Sequence, residues 1–166
     1  EMTIEEISRE TGTYVSNINT SEQIVISGDV MAVAQALDLA LARGAKKIIP
    51  LRVSGAFHSA LMEPARAGLI DAVNSLTFKD PTVPIVANCT GKPLKKGSEV
   101  KREIIGQIIS CVQWKRSMEY MLQQGISQFV EIGPGRTLAG MVKRIDRTAS
   151  AVSVGNVETI LNLRQN

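Results

Sequence analysis

The sequence predicts an α/β fold in two parts, on three observations. Short β-branched runs recur between longer stretches of helical spacing. Residues 1–53 give the order helix, strand, strand, helix, strand, a ferredoxin-like βαββαβ unit without its first strand. Residues 54–166 alternate strand with helix, the pattern of a parallel sheet in a larger α/β domain.

The elements follow in chain order. The acidic stretch Glu1-Met2-Thr3-Ile4-Glu5-Glu6 has no signal-peptide pattern. It runs straight into residues 3–10, read as the end of a helix that Gly12 closes. Residues 14–19 form a short strand, residues 20–22 a turn, and residues 23–28 a second strand. Asp29 is the N-cap of a helix over 30–43, with Val33, Ala36, Leu37, Ala40 and Leu41 at helical spacing and Gly44 at its end. The apolar run 46–53 is the next strand. Residues 59–75 are a helix with Pro64 in its first turns. Residues 81–88 read as a short strand near a sheet edge, because Pro81 and Pro84 cannot donate to a ladder. A polar loop at 91–98 precedes helices over 99–110 and 114–124, the second starting at Trp114 and stopped by Gly125. Residues 129–133 are a strand, Gly133-Pro134-Gly135 turns it into a helix over 137–146, and 150–154 and 157–164 are a last strand and helix. No internal repeat or low-complexity segment interrupts the pattern.

Composition excludes several classes. The chain has 166 residues, 44% hydrophobic and 21% charged, ordinary for a globular domain. No run approaches the ~20 apolar residues of a membrane span. A net charge of +3 is too small and too dispersed for nucleic-acid binding, though it suits anionic ligands or an acidic protein partner. Cys89 and Cys111 are the only cysteines, so a reducing compartment is expected: the cytoplasm, or an organellar stroma or matrix in a eukaryote. One histidine and two separated cysteines make no zinc site, and no cofactor is expected.

The chemistry concentrates at Ser54-Gly55-Ala56-Phe57-His58-Ser59-Ala60-Leu61-Met62-Glu63-Pro64, which holds the only histidine. A strand end fixes the backbone while the following loop exposes the side chain, the setting of a general base. A structural histidine is the competing reading. No Gly-x-Ser-x-Gly elbow or other activated nucleophile accompanies it, and Ser54 and Ser59 are too near in sequence for triad geometry. The chain therefore reads as half of an active site. Elsewhere, Gly133-Pro134-Gly135 could form an anion nest, but position 138 is Leu138 and the dinucleotide fingerprint fails, so a tight turn is preferred. Lys92, Lys95, Lys96, Lys101 and Arg102 form a basic cluster diluted by Glu99 and Glu103: a solvated face, or a docking patch for an acidic carrier or a phosphate. Asn17 and Asn19 occupy alternate strand positions, and thus one face, as a ligand pair or the solvent side.

Taken together, Asn17-Ile18-Asn19 with Gln23-Ile24-Val25-Ile26-Ser27-Gly28, Gly55-Ala56-Phe57-His58-Ser59-Ala60-Leu61-Met62, Pro81-Thr82-Val83-Pro84, Val112-Gln113-Trp114 and Glu131-Ile132-Gly133-Pro134-Gly135 resemble the malonyl-CoA:acyl carrier protein transacylases in order and spacing. The resemblance covers essentially the whole chain but only the carboxy-terminal half or so of a member. It implies an α/β-hydrolase-like acyltransferase domain, of which 54–166 would be the carboxy-terminal part, with residues 1–53 as an inserted ferredoxin-like subdomain. It implies ping-pong transfer of malonyl from malonyl-CoA to the phosphopantetheine thiol of acyl carrier protein through an acyl-serine. His58 falls on the family's general base, and the Gln107 backbone carbonyl on the group that orients it. Phe57, Asn17 and Asn19 fall on the substrate side, a phenylalanine before the histidine resembling the malonyl-selective type. The serine elbow, an oxyanion-hole glutamine and a carboxylate-pairing arginine would lie in an amino-terminal half that this sequence lacks. That half is then a partner, and the chain alone is expected to be inactive and prone to self-association. The alternatives are an acyltransferase domain of a polyketide or multifunctional fatty acid synthase, and a non-catalytic carrier-protein-binding fragment. The chain's ending soon after Asp146 favours a stand-alone transacylase.

Overall fold

The computed structural model describes residues 3–163. Helix α1 (Ile4–Thr11) begins within the sequence rather than ending there. The Thr3 hydroxyl accepts from the Glu6 N–H, and the Glu6 carboxylate accepts from the Thr3 N–H, a reciprocal capping box. Gly12 closes the helix in the left-handed region, φ 73°, its N–H returning to the Ser8 carbonyl. Strands β1 (Tyr14–Ile18) and β2 (Ile24–Ser27) pair antiparallel, with a register shift between Val15 and Asn17. Asp29 caps helix α2 (Val30–Ala42) as expected, accepting from the Met31 N–H at 2.9 Å. α2 lies against α1; its Ala36 is buried, and Leu41 is exposed at the end of the stripe.

The strand expected at 46–53 is absent. Ile49, Leu51 and Val53 fall on one alternating set and are 62%, 58% and 63% exposed, and no strand among the described residues flanks them. A strand exists through its ladder, and an apolar pattern without a partner stays irregular. The first part thus shows helix, hairpin, helix, and not the closing strand of the expected unit.

The expected 59–75 helix divides into a 3-10 turn, Ala60–Met62, and helix α3 (Glu63–Asn74) with Pro64 in its first turn. The strand expected at 81–88 shrinks to β3 (Ile85–Val86). It pairs antiparallel with β4 (Pro93–Leu94), which lies inside the segment read as loop. Helix α4 runs Gly97–Gln107, two residues ahead of the expected start. The Glu99 carboxylate accepts from the Lys95 and Lys96 N–H groups and fixes the entry. Only glycine suits position 97. Its N–H donates to Asp80 at 2.8 Å, and an added Cβ would overlap the Phe78 carbonyl oxygen and stand 2.9 Å from that of Lys79. Gly97→Ala is therefore expected to cost about 1–3 kcal/mol, read as a lower midpoint in denaturant unfolding. An unchanged midpoint would show that this approach relaxes freely.

Helix α5 (Trp114–Gln123), strand β5 (Gln128–Ile132), helix α6 (Thr137–Ile145), strand β6 (Ser150–Val154) and helix α7 (Val157–Leu163) complete the chain. The expected end of α7 at residue 164 lies outside the described residues, as do Glu1 and Met2. β5 and β6 pair parallel from Gln128↔Ser150 to Ile132↔Val154, with α6 as the crossover. The core sits beneath them: Met118, Val142 and Ala149 are buried, with Trp114, Phe129, Ile145 and Ala151 packed around them. This second part is α/β, as its alternation predicts.

Candidate active site

His58 stands on a loop that four hydrogen bonds pin. Ser27 Oγ on β2 donates to the Phe57 carbonyl at 3.1 Å, and the His58 N–H donates to the Ile108 carbonyl at 3.0 Å. Ser59 Oγ donates to the Ala56 carbonyl at 2.6 Å and accepts from the Leu61 N–H, capping the 3-10 turn. His58 itself has φ 60°, the only positive φ at a non-glycine residue among those described. That conformation costs roughly 1–2 kcal/mol and persists only where the surroundings enforce it, which is how functional side chains are held.

The half-buried imidazole points its Nδ1 at the Gln107 main-chain carbonyl, 2.7 Å away. A carbonyl oxygen can only accept, so Nδ1 carries the proton, and in the neutral ring Nε2 keeps its lone pair. The structure thus joins two residues 49 positions apart that the sequence reading pairs. The carbonyl is the last of α4, beyond the helix's own i+4 bonds, and besides the imidazole it accepts only a long bond from the Ser110 N–H, 3.4 Å away.

The remaining residues singled out from sequence fall as follows. Phe57 is 46% exposed, and its ring lies beside Gly55: a Cβ added there would be 3.5 Å from the ring and 3.6 Å from Met62 Sδ. Asn17 lies in β1 at a parallel bridge to Val112, where Val112 N–H donates to Ser16 and Ile18 N–H to Val112. Asn19 lies beyond β1 and is only 9% exposed, in a turn where the Asn19 and Thr20 N–H groups both donate to the Gln23 carbonyl. Neither asparagine is on an open solvent face. Ser59 is buried with its hydroxyl occupied as a cap.

The glycine turn resolves into a structural role. The anion at the N-terminus of α6 is the chain's own Glu131, which accepts from the Leu138 and Ala139 N–H groups and from Ser153 Oγ, each at 3.0 Å. The Ala139 N–H, foremost among these bonds, holds that carboxyl below its usual range. Gly133-Pro134-Gly135 is accordingly a turn around an internal carboxylate. In the basic cluster, Glu99 caps α4 and Glu103 accepts from the Cys89 N–H at 2.8 Å. Burial, followed by Glu103 beside it, pushes the Cys89 thiol up to about 11, and burial raises Cys111 as well. Neither thiol is an activated nucleophile at neutral pH.

Sequence reasoning missed Asn88, whose side-chain Nδ2 donates to Gln107 Oε1 at 3.0 Å, and the Ile108 carbonyl. Asn88 had no signal, because a lone asparagine at the end of a strand reads as turn chemistry.

A histidine whose Nδ1 is held by a carbonyl has an Nε2 lone pair that can accept a proton, and the comparisons say which proteins share this frame. No family model matches the chain. The malonyl CoA-acyl carrier protein transacylase of Bacillus subtilis is 38% identical over 146 residues, 88% of this chain and 46% of that protein. Its namesake in Staphylococcus aureus is 32% identical over 151 residues, 91% of this chain and 49% of the relative. Among solved structures, MCAT of Streptococcus pneumoniae superposes with TM-score 0.92 at 37% identity, over 98% of this chain and 54% of its own. A malonyl-transacylase solved in complex with its type II PKS acyl-carrier protein gives 0.88 at 35% identity, over 98% and 53%. The resemblance read from the sequence holds: along nearly its whole length the chain is homologous to part of the malonyl CoA-acyl carrier protein transacylases. It spans about half the length of the relatives it matches.

Proposed function

We propose that this chain supplies the general-base half of a malonyl-CoA:acyl carrier protein transacylase, with the nucleophilic serine on the half of the family's length that it does not span. The observation that carries this reading is the 2.7 Å bond from His58 Nδ1 to the Gln107 carbonyl. His58 Nε2 takes the serine hydroxyl proton as the oxygen attacks the malonyl thioester carbon. The tetrahedral adduct collapses, the C–S bond breaks, and the imidazolium returns the proton to the departing CoA sulfur. The reverse steps, with the carrier protein's phosphopantetheine thiol as attacking group, release malonyl from the serine. Gln107 stabilises the imidazolium through a carbonyl dipole and keeps Nε2 turned outward. Asn17 and Asn19, whose side-chain amides have no hydrogen bond among the described residues, would serve substrate together with Phe57.

The uncovered sheet supports a second body of protein. Parallel strands are normally covered on both faces, yet Val130, Ile132 and Val152 are 48%, 86% and 42% exposed on one face of β5 and β6. In this reading, residues 54–166 are the carboxy-terminal part of an α/β-hydrolase-like domain. Residues 1–53 belong to a ferredoxin-like subdomain. The two free cysteines suit the cytoplasm, or an organellar stroma or matrix, and no described helix is long and apolar enough to cross a membrane.

Mass spectrometry after incubation with malonyl-CoA tests the division of labour. The full-length protein bearing this chain should gain a malonyl adduct on a serine outside the chain, and the 17.9 kDa chain alone should gain none. An adduct on the isolated chain would overturn the proposal.

A further inference from the structure

We infer that Asn88 is a positioning residue for the base: its side-chain amide holds the end of α4 so that the Gln107 carbonyl fixes the His58 tautomer. The inference rests on the general-base reading above and adds to it a residue that does not touch the imidazole.

The carbonyl that accepts from His58 lies in the last turn of α4, followed by the connection 108–113 to α5. Such a turn is where helices fray, because its carbonyls have no partner further along the helix. The His58 loop hangs on this place twice, by Nδ1 on the Gln107 carbonyl and by its N–H on the Ile108 carbonyl. Any rotation of the 107–108 peptides moves both bonds together.

Asn88 bridges the two ends of the connection. Its side chain donates to Gln107 Oε1 at 3.0 Å, at the start, and its main-chain carbonyl accepts from the Gln113 N–H at 2.7 Å, at the end. The neighbours make the bridge rigid. Cys89 N–H donates to Glu103, one turn before Gln107 on α4, at 2.8 Å. Ser117 Oγ on α5 donates to the Ala87 carbonyl at 3.3 Å and to the Gln113 carbonyl at 3.1 Å. Val112 is fixed to β1 on both sides. Among these ties, the Asn88 amide alone reaches the residue whose carbonyl orients the base. Without it the Gln107 side chain has no bond among those described, and besides the imidazole the carbonyl keeps only the long 3.4 Å bond from the Ser110 N–H, which holds it weakly.

The chemical consequence is a choice of tautomer. With the carbonyl in place, the proton sits on Nδ1 and Nε2 is the base. With the carbonyl turned away, the neutral ring is free to place its proton on Nε2, and the lone pair then faces away from the reacting hydroxyl. The effect belongs in kcat rather than KM, because substrate binding is untouched.

The test compares Asn88→Ala, Gln107→Leu and the double variant in the full-length protein bearing this chain. Gln107→Leu removes the same hydrogen bond from the other side while leaving the main-chain carbonyl in the sequence. With 15N-labelled histidine, long-range 15N–1H spectra report the His58 tautomer without any turnover, the His58 signal being the one lost in His58→Gln. The expected wild-type tautomer is Nδ1–H. Each single variant should populate Nε2–H and lose up to about 100-fold in kcat with KM nearly unchanged, the loss set by misplacement alone. The double variant should be no worse than either single one, since both remove one bond. Wild-type tautomer and kcat in either folded single variant, or additive losses in the double, would overturn the assignment. The spectra keep this outcome distinct from failure of the transacylase reading, which would leave the tautomer result intact and remove only the malonyl turnover.

Discussion

His58→Ala in the full-length protein is expected to slow malonyl transfer by a factor of roughly 10² or more, with the fold retained. A serine hydroxyl is almost fully protonated at neutral pH and attacks a thioester only if its proton leaves as the bond forms. In the proposed mechanism the imidazole takes that proton, with Nδ1 committed to the Gln107 carbonyl and Nε2 without a hydrogen bond among the described residues. Removing it also removes one of the bonds that enforce the left-handed backbone at position 58, where φ is 60°. Asparagine tolerates that region better than other residues, so His58→Asn separates loss of the base from backbone relaxation. Both variants should melt near the parent and transfer malonyl at similarly low rates. Near-normal transfer by either folded variant would remove His58 from the mechanism and return it to a structural role.

The His58–Gln107 contact is more legible in the sequence than the frame that holds it. His58 is conspicuous because it is the only histidine and sits in Gly-Ala-Phe-His, and the resemblance then points to Gln107 by spacing. What no linear pattern carries is the set of long-range hydrogen bonds around them. Ser27 to Phe57, Asn88 to Gln107 and Cys89 to Glu103 join segments 14 to 30 positions apart through polar atoms without periodicity. The helices were read well, because caps and closing glycines such as Asp29 and Gly12 act within a few residues of the turn they control. The short strands were read poorly for the opposite reason. Residues 46–53 have the apolar pattern of a strand but no ladder partner, whereas Pro93–Leu94 has no such pattern and becomes a strand because Ile85–Val86 lies beside it. Pairing, not propensity, decides such two-residue elements.

Phe57→Ser is expected to lower the preference for malonyl-CoA over methylmalonyl-CoA, expressed as the ratio of kcat/KM values, by about 10–200-fold. The branched substrate differs by one methyl at the carbon beside the thioester, a group that a nearby ring either excludes or tolerates. Phe57 is poorly explained as a packing residue behind the histidine, because 46% of it is exposed. Its main chain is nevertheless fixed, the carbonyl held by Ser27 Oγ and the next residue by the Ile108 carbonyl. The ring is thus an exposed apolar surface on an immobile base, adjacent in sequence to the proposed catalytic imidazole. Such a wall discriminates by shape without a change in the chemical step, so the rate with malonyl-CoA should fall little while that with methylmalonyl-CoA rises. A folded Phe57→Ser variant with an unchanged ratio would show that the extender is selected by residues outside this chain. Equal losses with both substrates would instead make the ring a support for His58, and the tautomer spectrum of the variant would then depart from that of the parent.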